Sequence, residues 1–451
     1  MSLTNRNKLA LVSLDGLSLA DLHHLTDLLP RSGPYLAGGT ASRLDAGLLT
    51  STAAIWGELL TGTAWYDNGC AGHARPWKTL NRTKVVTEGD IAVPAGLLNG
   101  YPRQLVINVP LLMPKESHRL WLSDGSLPLP VTVSPRSLMA EEPFSSYSPR
   151  PYSALAEGIH HPKGALAALI QTEKKRLECA HELLRMGNLD IGLIRLSLFD
   201  QLAHLLGANY LADEELVYTP ELRPFLSFLD EWLCEVFSAV AHVALLSAFS
   251  HVPCESRLSL NELLNRGGFL TFSRLDAPAR RRVAALAALA DDDGDEEGQA
   301  GRASVHAQVS CHQAVLDCSR TLAASSVLGF VHVNVKDRFE DGIVERAEVA
   351  ATRDVLRDFL DDTLKRSFGN AYSIWSANEI KNPHSESQDH WLPDLLVHIP
   401  SAELHNSSDK FFGPSDKPRS VHSPQGFFWS QAKNLKSALK TTEVCRLLQE
   451  E

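Results

Sequence analysis

The sequence predicts an α/β protein: a doubly wound, mostly parallel sheet flanked by helices and carrying an inserted cap. Short apolar runs bounded by turn residues recur along the chain, as buried parallel strands require, at residues 9–14, 104–109, 189–197 and 242–247. Helical patterns lie between these runs, and the pattern over 171–186 directly precedes a predicted strand, as a crossover helix does. This alternation of strand and helix is typical of a doubly wound sheet.

The alternation is interrupted once, between about residues 261 and 393. There an Ala/Leu/Arg-rich helical pattern, an acidic run at 291–298 and a strand-like run at 330–335 replace it. We predict that 261–393 is an inserted cap that sets specificity, and that 1–260 and 394–451 form the core. The acidic run is most simply a solvated loop, because its spacing does not fit a calcium-binding loop.

Composition narrows the class of protein. The chain has 451 residues and a formal net charge of -11, which argues against nucleic acid or an anionic membrane as a partner. The seven cysteines are scattered with no Cys-x-x-Cys pair, so they predict neither a disulfide framework nor a thiolate zinc site. The apolar run near the N-terminus is too short for a signal segment or a membrane span. We therefore expect a cytoplasmic protein whose partner is a small-molecule substrate or another protein rather than nucleic acid or a membrane.

Four local patterns supply candidate functional residues. Asp15 ends the first predicted strand, where side chains at the carboxyl edge of a parallel sheet meet ligands. Asp200 and His204 are four residues apart on a predicted helix, so that both could bind one metal ion. His422 lies in a Pro/Gly-containing loop before an aromatic run. Taken singly, each has a plainer interpretation. Asp15 could be an ordinary turn residue, the spacing of Asp200 and His204 could arise by chance, and His422 could be a surface histidine.

Thr52 is the fourth candidate. It precedes a helical face formed by Ile55, Trp56, Leu59 and Leu60, and Gly62 can end that helix. A hydroxyl at a helix N-terminus is usually a cap. The same position lies beside the free helix-end amides that bind phosphate, so a nucleophilic threonine there is physically sensible.

In this order along the chain, the patterns resemble the alkaline phosphatase superfamily, in particular its type I phosphodiesterase/nucleotide pyrophosphatase branch of predicted phosphohydrolases and phosphomutases. "LVSLDG" resembles the family's first strand and metal-ligand aspartate, and "TAAIWGELLTG" its nucleophile segment. "FDQLAHLLG" is similar to its Asp-x-x-x-His pair and "VHSPQGFF" to its last metal-binding histidine. The resemblance covers nearly the whole chain and implies an alkaline phosphatase-like fold and a zinc-dependent phosphoester hydrolase.

Carried over residue by residue, the resemblance implies a first zinc site made of Asp200, His204 and His422. It implies that Thr52 is the nucleophile and that Asp15 belongs to a second zinc site.

The second site is incomplete in this sequence. The family adds an adjacent Asp-His pair, in a Ser-Asp-His-Gly turn, where this chain has Ala248 and Phe249. His251 follows two residues later and is a possible substitute ligand if the register shifts. Asp15 and Thr52 alone are too few ligands, because zinc sites in proteins generally have three or more.

Three hypotheses follow from the incomplete site. The first is a hydrolase of a phosphoester or related ester that uses a single zinc ion. The second is a pseudoenzyme, in which the scaffold binds a ligand or a protein partner without turnover. The third is a two-metal hydrolase whose second site is completed by His251, Glu255 or a cap residue.

Overall fold

The computed structural model describes most of the chain and divides it into two compact units. The described residues are 7–49, 51–91, 96–115, 119–123, 133–149, 162–217, 219–272, 316–326, 329–380, 392–405, 412–413, 420–431 and 435–450. The first unit consists of Met1–Thr63, Val93–Pro253 and Lys417–Glu451, and the second of Ala64–Ala92 and Cys254–Asp416.

Strands and helices are numbered in chain order. The strands are β1 Asn7–Leu14, β2 Thr40–Asp45, β3 Ala74–Trp77, β4 Thr79–Val85, β5 Gln104–Ile107, β6 Arg119–Leu122, β7 Val133–Ser134, β8 Ile191–Leu196, β9 Val240–Ser247, β10 Ser250–Pro253, β11 Ser256–Ser259, β12 Ala323–Ser325, β13 Phe330–Val333, β14 Ser373–Ser376, β15 Leu395–His398, β16 Ala402–His405, β17 Phe412–Gly413, β18 Ser420–Ser423, β19 Gln425–Ser430 and β20 Ala438–Lys440. The helices are α1 Leu19–Leu28, α2 Gly33–Gly38, α3 Thr52–Thr61, α4 Trp65–Asn68, α5 Pro162–Met186, α6 Leu198–Leu206, α7 Glu214–Val217, α8 Leu222–Ala239, α9 Leu260–Arg266, α10 Val349–Phe368, α11 Ala377–Ile380 and α12 Thr441–Glu450.

The first unit is built on a nine-stranded sheet. Its strand order is β20-β2-β19-β9-β1-β8-β5-β6-β7. β1 pairs in parallel with both β8 and β9, whereas β19 and β7 are antiparallel to their neighbours. The remaining strands all run in one direction, so the carboxyl ends of β1, β8 and β9 lie at one edge. The predicted mostly parallel sheet is confirmed.

Helices cover both faces of this sheet. Along β1, Ala10, Val12 and Leu14 pack into one hydrophobic cluster, which includes residues of α1, α5, α6 and α8. The alternate residues Leu9 and Leu11 pack into a second cluster with residues of α3 and α12. Successive strand residues point to opposite faces of the sheet, and helices cover both faces, so the side chains on both must be apolar. The strand sequences are therefore continuous apolar runs rather than alternating apolar and polar residues.

Two local predictions are also confirmed. The predicted strands at 9–14, 104–109, 189–197 and 242–247 correspond to β1, β5, β8 and β9. Helix α3 begins at Thr52 and ends before Gly62, whose φ of 70° is the left-handed conformation that glycine tolerates at a helix C-terminus.

The second unit has its own sheets and core. Its four-stranded sheet has the order β12-β13-β15-β14 and its three-stranded sheet the order β16-β11-β17. Leu356, Leu360 and Leu364 of α10 pack with residues of β13 and β15 in one cluster.

The predicted insertion lies inside the second unit, whose limits are wider. Residues 394–405 and 412–413, which were predicted to belong to the core, are part of the second unit because β15 pairs with β13 and β14, and β16 and β17 pair with β11. The role of 261–393 as a cap remains a prediction. The acidic run at 291–298 and most of the Ala/Leu/Arg-rich pattern lie outside the described residues. Among the described helices, none combines the length and the apolar character needed to span a bilayer.

Candidate metal centre

The candidate metal centre lies at the carboxyl edge of the first unit's sheet. β8 leads directly into α6, which carries Asp200 and His204 on one face. The Nε2 atom of His204 lies 3.4 Å from Oδ1 of Asp200. The predicted i, i+4 pair is therefore in contact, as helical spacing requires.

A short pair of antiparallel strands brings in the two other histidines. β9 ends at Ser247, and after a two-residue turn the chain enters β10, which pairs with β18. In this register His251 is directly opposite His422, so that their side chains share one face of the ribbon. From the sequence, His251 was a possible substitute ligand for the second site. The structure places it with Asp200 instead, because the register of β10 and β18 sets its position.

The four side chains form a compact group of potential ligands. Oδ1 of Asp200 lies 3.0 Å from Nε2 of His251 and 3.0 Å from Nε2 of His422. The Nε2 atoms of His204 and His422 are 3.1 Å apart, and all four ligand atoms lie within 4.8 Å of one another.

This spacing fits a tetrahedral ion. Ligand atoms bound to zinc at ordinary bond lengths are about 3.3 Å apart, close to the observed 3.0 to 3.4 Å. Imidazole nitrogens and a carboxylate oxygen are also ligands that zinc accepts. Four of the six separations in the group therefore match a tetrahedral ion, and the other two are at most 4.8 Å.

Ser420 fixes the orientation of two of the histidine rings. Its carbonyl oxygen lies 3.1 Å from Nδ1 of His204 and accepts a hydrogen bond when that nitrogen is protonated. Its hydroxyl donates to the carbonyl of Ala203 at 2.7 Å and lies 2.8 Å from Nδ1 of His251, from which it can accept. Protons on both Nδ1 atoms leave the Nε2 lone pairs directed at the group. Metal-binding histidines usually donate their other ring N–H to a protein group in this way.

The protonation states also suit a metal ion. Burial alone would raise the pKa of the Asp200 carboxyl, but the facing imidazoles, His422 foremost, hold that pKa well below its usual range. Burial lowers the pKa of His251 to about 3, although Asp200 opposes the shift. An ionised carboxylate and a neutral imidazole are the forms that bind metal.

Replacing Ser420 by alanine tests whether its hydroxyl orients the His251 ring. The variant loses the hydroxyl that orients His251 but keeps the carbonyl facing His204. Because loss of such a partner typically costs 10–100-fold in metal affinity, we expect zinc affinity to fall by roughly that factor. Competition with a chromophoric chelator measures it. An unchanged affinity would show that the hydroxyl does not orient the site.

Ala248 and Phe249, the positions predicted to have lost metal ligands, are both fully buried. The Phe249 ring stacks on the imidazole of His422, with centroids 4.1 Å apart and planes inclined by 26°. The side chain at this position therefore supports the histidine group by packing rather than by coordination.

Asp15 is paired with an arginine that sequence reasoning missed. Its carboxylate is fully buried and accepts from Ser13 Oγ through Oδ1 and from Arg195 Nε through Oδ2. Arg195 lies in β8, opposite Ser13 of β1 in the parallel register. A single arginine inside the otherwise apolar run "IGLIRL" was the available signal, because a charge in a buried strand needs a partner. Breaking a buried ion pair of this kind typically costs about 3–5 kcal/mol.

Thr52 is the first residue of α3 and is 8% exposed. α3 follows β2. Strand β19 lies between β2 and β9 and is antiparallel to both, so β2 and β9 run in the same direction. The N-terminus of α3 therefore lies at the same edge of the sheet as the ends of β1, β8 and β9. Thr52 does not belong to the metal-ligand group defined above.

This chain is similar to known proteins in structure but not detectably in sequence. No family model and no curated protein matches the sequence. Phosphonoacetate hydrolase from Sinorhizobium meliloti 1021, solved with phosphonoformate, matches with a TM-score of 0.58 and 14% identity, covering 99% of this chain and 95% of that chain. Murine ectonucleotide pyrophosphatase/phosphodiesterase 5 matches with a TM-score of 0.50 and 12% identity. Alkaline phosphatase PafA matches with a TM-score of 0.50 and 13% identity. Each of these two matches covers 98% of this chain and 94% of the other chain. The chain thus has the same fold as these three proteins, one of which is an alkaline phosphatase, and the predicted alkaline phosphatase-like fold is confirmed.

Proposed function

We propose that this protein is a metal-dependent hydrolase of a phosphoester or related ester, with one zinc ion held by Asp200, His204, His251 and His422. The observation that carries the proposal is the spacing of 3.0 to 3.4 Å between neighbouring ligand atoms, which a tetrahedral ion fills. The fold supports it, because the similar solved structures include an alkaline phosphatase and a hydrolase solved with a phosphonate. Zinc would supply Lewis-acid stabilisation of charge on a phosphoryl oxygen.

The chain's own residues would supply the remaining chemistry. Thr52 stands at the N-terminus of α3, where backbone amides and the helix dipole favour a phosphoryl oxyanion. Its hydroxyl would attack phosphorus as the P–O bond to the leaving group breaks, with the hydroxyl proton ending on the departing oxygen. Water would then cleave the phosphothreonine, which releases phosphate and restores the hydroxyl. The burial of Thr52 would keep bulk water away from the attacking oxygen.

One observation favours a second candidate function. Catalytic zinc usually keeps an open position beside three protein ligands, whereas structural zinc is closed by four. The group here offers four side chains. A closed centre would make this protein a catalytically impaired scaffold that binds a ligand or protein partner. In the hydrolase, the same four side chains would compete with the substrate for the ion, which we expect to make turnover slow.

Zinc content and hydrolysis, measured together, separate these functions. The full chain is purified without chelator, loaded with zinc and analysed for bound metal, then assayed with p-nitrophenyl phosphate and bis(p-nitrophenyl) phosphate. The hydrolase predicts one zinc per chain and nitrophenolate release that disappears on chelation and returns with zinc. One zinc without release above buffer would favour the scaffold. No bound zinc would overturn the proposed metal centre.

A further inference from the structure

The second zinc site implied by the sequence resemblance does not fit the residues of this chain. Asp15, its one retained carboxylate, already has a cationic partner. The Arg195 guanidinium bonds its Oδ2 and the Ser13 hydroxyl bonds its Oδ1, so both carboxylate oxygens accept hydrogen bonds from protein groups. The Asp15 side chain is 0% and the Arg195 side chain 7% exposed. A buried carboxylate bonded in this way has no need of a metal ion for its charge.

The Asp15–Arg195 pair lies at the metal-ligand group rather than elsewhere in the core. The Asp15 amide donates to the carbonyl of Leu196, the residue after Arg195, at 3.2 Å. A Cβ placed on Gly16 would lie 2.6 Å from Cα of Asp200, so only glycine permits this approach. The pair is therefore adjacent in space to the start of the helix that carries Asp200 and His204.

The turn that should supply the other second-site ligands is also adjacent to Asp15, but it is apolar. The Leu17 amide donates to Ser247 Oγ at 3.0 Å, and that hydroxyl donates to the carbonyl of Phe249 at 2.7 Å. The two positions at issue carry a methyl group and a phenyl ring, neither of which binds metal. His251, the nearest histidine in the chain, faces Asp200.

We infer that this protein binds one metal ion rather than two, and that the guanidinium of Arg195 stands in place of the second ion as a fixed cation neutralising Asp15. This inference rests on the proposed function, which supplies the first ion. A divalent cation bound to Asp15 could displace the Arg195 guanidinium, which would then be buried without its Asp15 partner. Alternatively, the cation would lie beside the guanidinium and the two positive charges would repel each other. The guanidinium carries one positive charge where zinc carries two, so it neutralises Asp15 without the surplus charge that a second ion would present to an anionic substrate.

Zinc stoichiometry across a titration tests the inference without relying on activity. The wild type and Asp15→Asn are each saturated with zinc, freed of loosely held ions and analysed for metal per chain. We expect one zinc in both proteins. Two zinc ions in the wild type and one in Asp15→Asn would overturn the inference. No zinc in the wild type would instead overturn the proposed metal centre, and this outcome is distinct from an occupied second site.

Thermal unfolding of the metal-free protein tests the ion pair itself. Asp15→Asn, Arg195→Met and the double variant form a double-mutant cycle. We expect each single variant to unfold at a lower temperature than the wild type. The decrease in the double variant should be clearly smaller than the sum of the two single decreases, because neither buried charge is then left without the other. Strictly additive losses would overturn the role of Arg195. Arg195→Lys, which keeps the charge, should lose less than Arg195→Met.

Discussion

Replacing Asp200 by asparagine should lower zinc affinity more than 100-fold and reduce hydrolysis to the level of the chelated enzyme. Asp200 supplies the one carboxylate of the ligand group, and its Oδ1 lies within 3.4 Å of the Nε2 atoms of all three histidines. Asparagine preserves the shape of the side chain but removes its charge. Because removal of a group that merely orients a ligand already costs about 10–100-fold in affinity, loss of the anionic ligand itself should cost more.

The matched control is Asp27→Asn. This carboxylate is exposed on α1, in the same unit, and does not belong to the metal-ligand group. It should retain wild-type zinc content and activity. Chelator competition gives the affinity, and circular dichroism shows whether the variant remains folded. An Asp200→Asn protein that holds one zinc with wild-type affinity would show that the ion binds elsewhere.

The fold was predictable because its signals are local. β8 and, from Val243 onward, β9 are buried on both faces, so each appears as a short apolar run that can be found without knowing its neighbours. The i, i+4 pair Asp200 and His204 is equally local, since the helix alone sets their separation. Thr52 and Gly62 mark the two ends of α3, and these signals are also local because helix ends favour particular residue types.

The rest of the site depends on contacts between distant segments. His251 reaches Asp200 only because β10 pairs with β18, and a shift of one residue would turn its side chain to the opposite face. Ser420 acts through a carbonyl and a hydroxyl whose direction the sequence does not specify. The Asp15–Arg195 pair needs the register of β1 against β8, although the arginine in an apolar strand indicated that some acidic partner must exist.

Replacing Thr52 by alanine should lower the rate of phosphoester hydrolysis by about three orders of magnitude or more, because loss of a nucleophile removes the covalent route altogether. The metal ligands are untouched, so zinc content should stay at one per chain. Thr52→Ser, which keeps a hydroxyl, should recover much of the activity. Thr61→Ala, at the other end of α3, removes a hydroxyl that bonds the carbonyl of Gly57 and serves as the control for altered helix stability.

The split between activity and zinc content is what identifies the role of Thr52. A residue that merely packs at the start of α3 would, on replacement, lower the unfolding temperature and the rate together, as Thr61→Ala would if the helix is marginal. A nucleophile lowers the rate alone. If Thr52→Ala hydrolyses phosphoesters at the wild-type rate with one zinc bound, the attacking group is a water molecule rather than the threonine hydroxyl, because the single metal centre would then suffice to activate it.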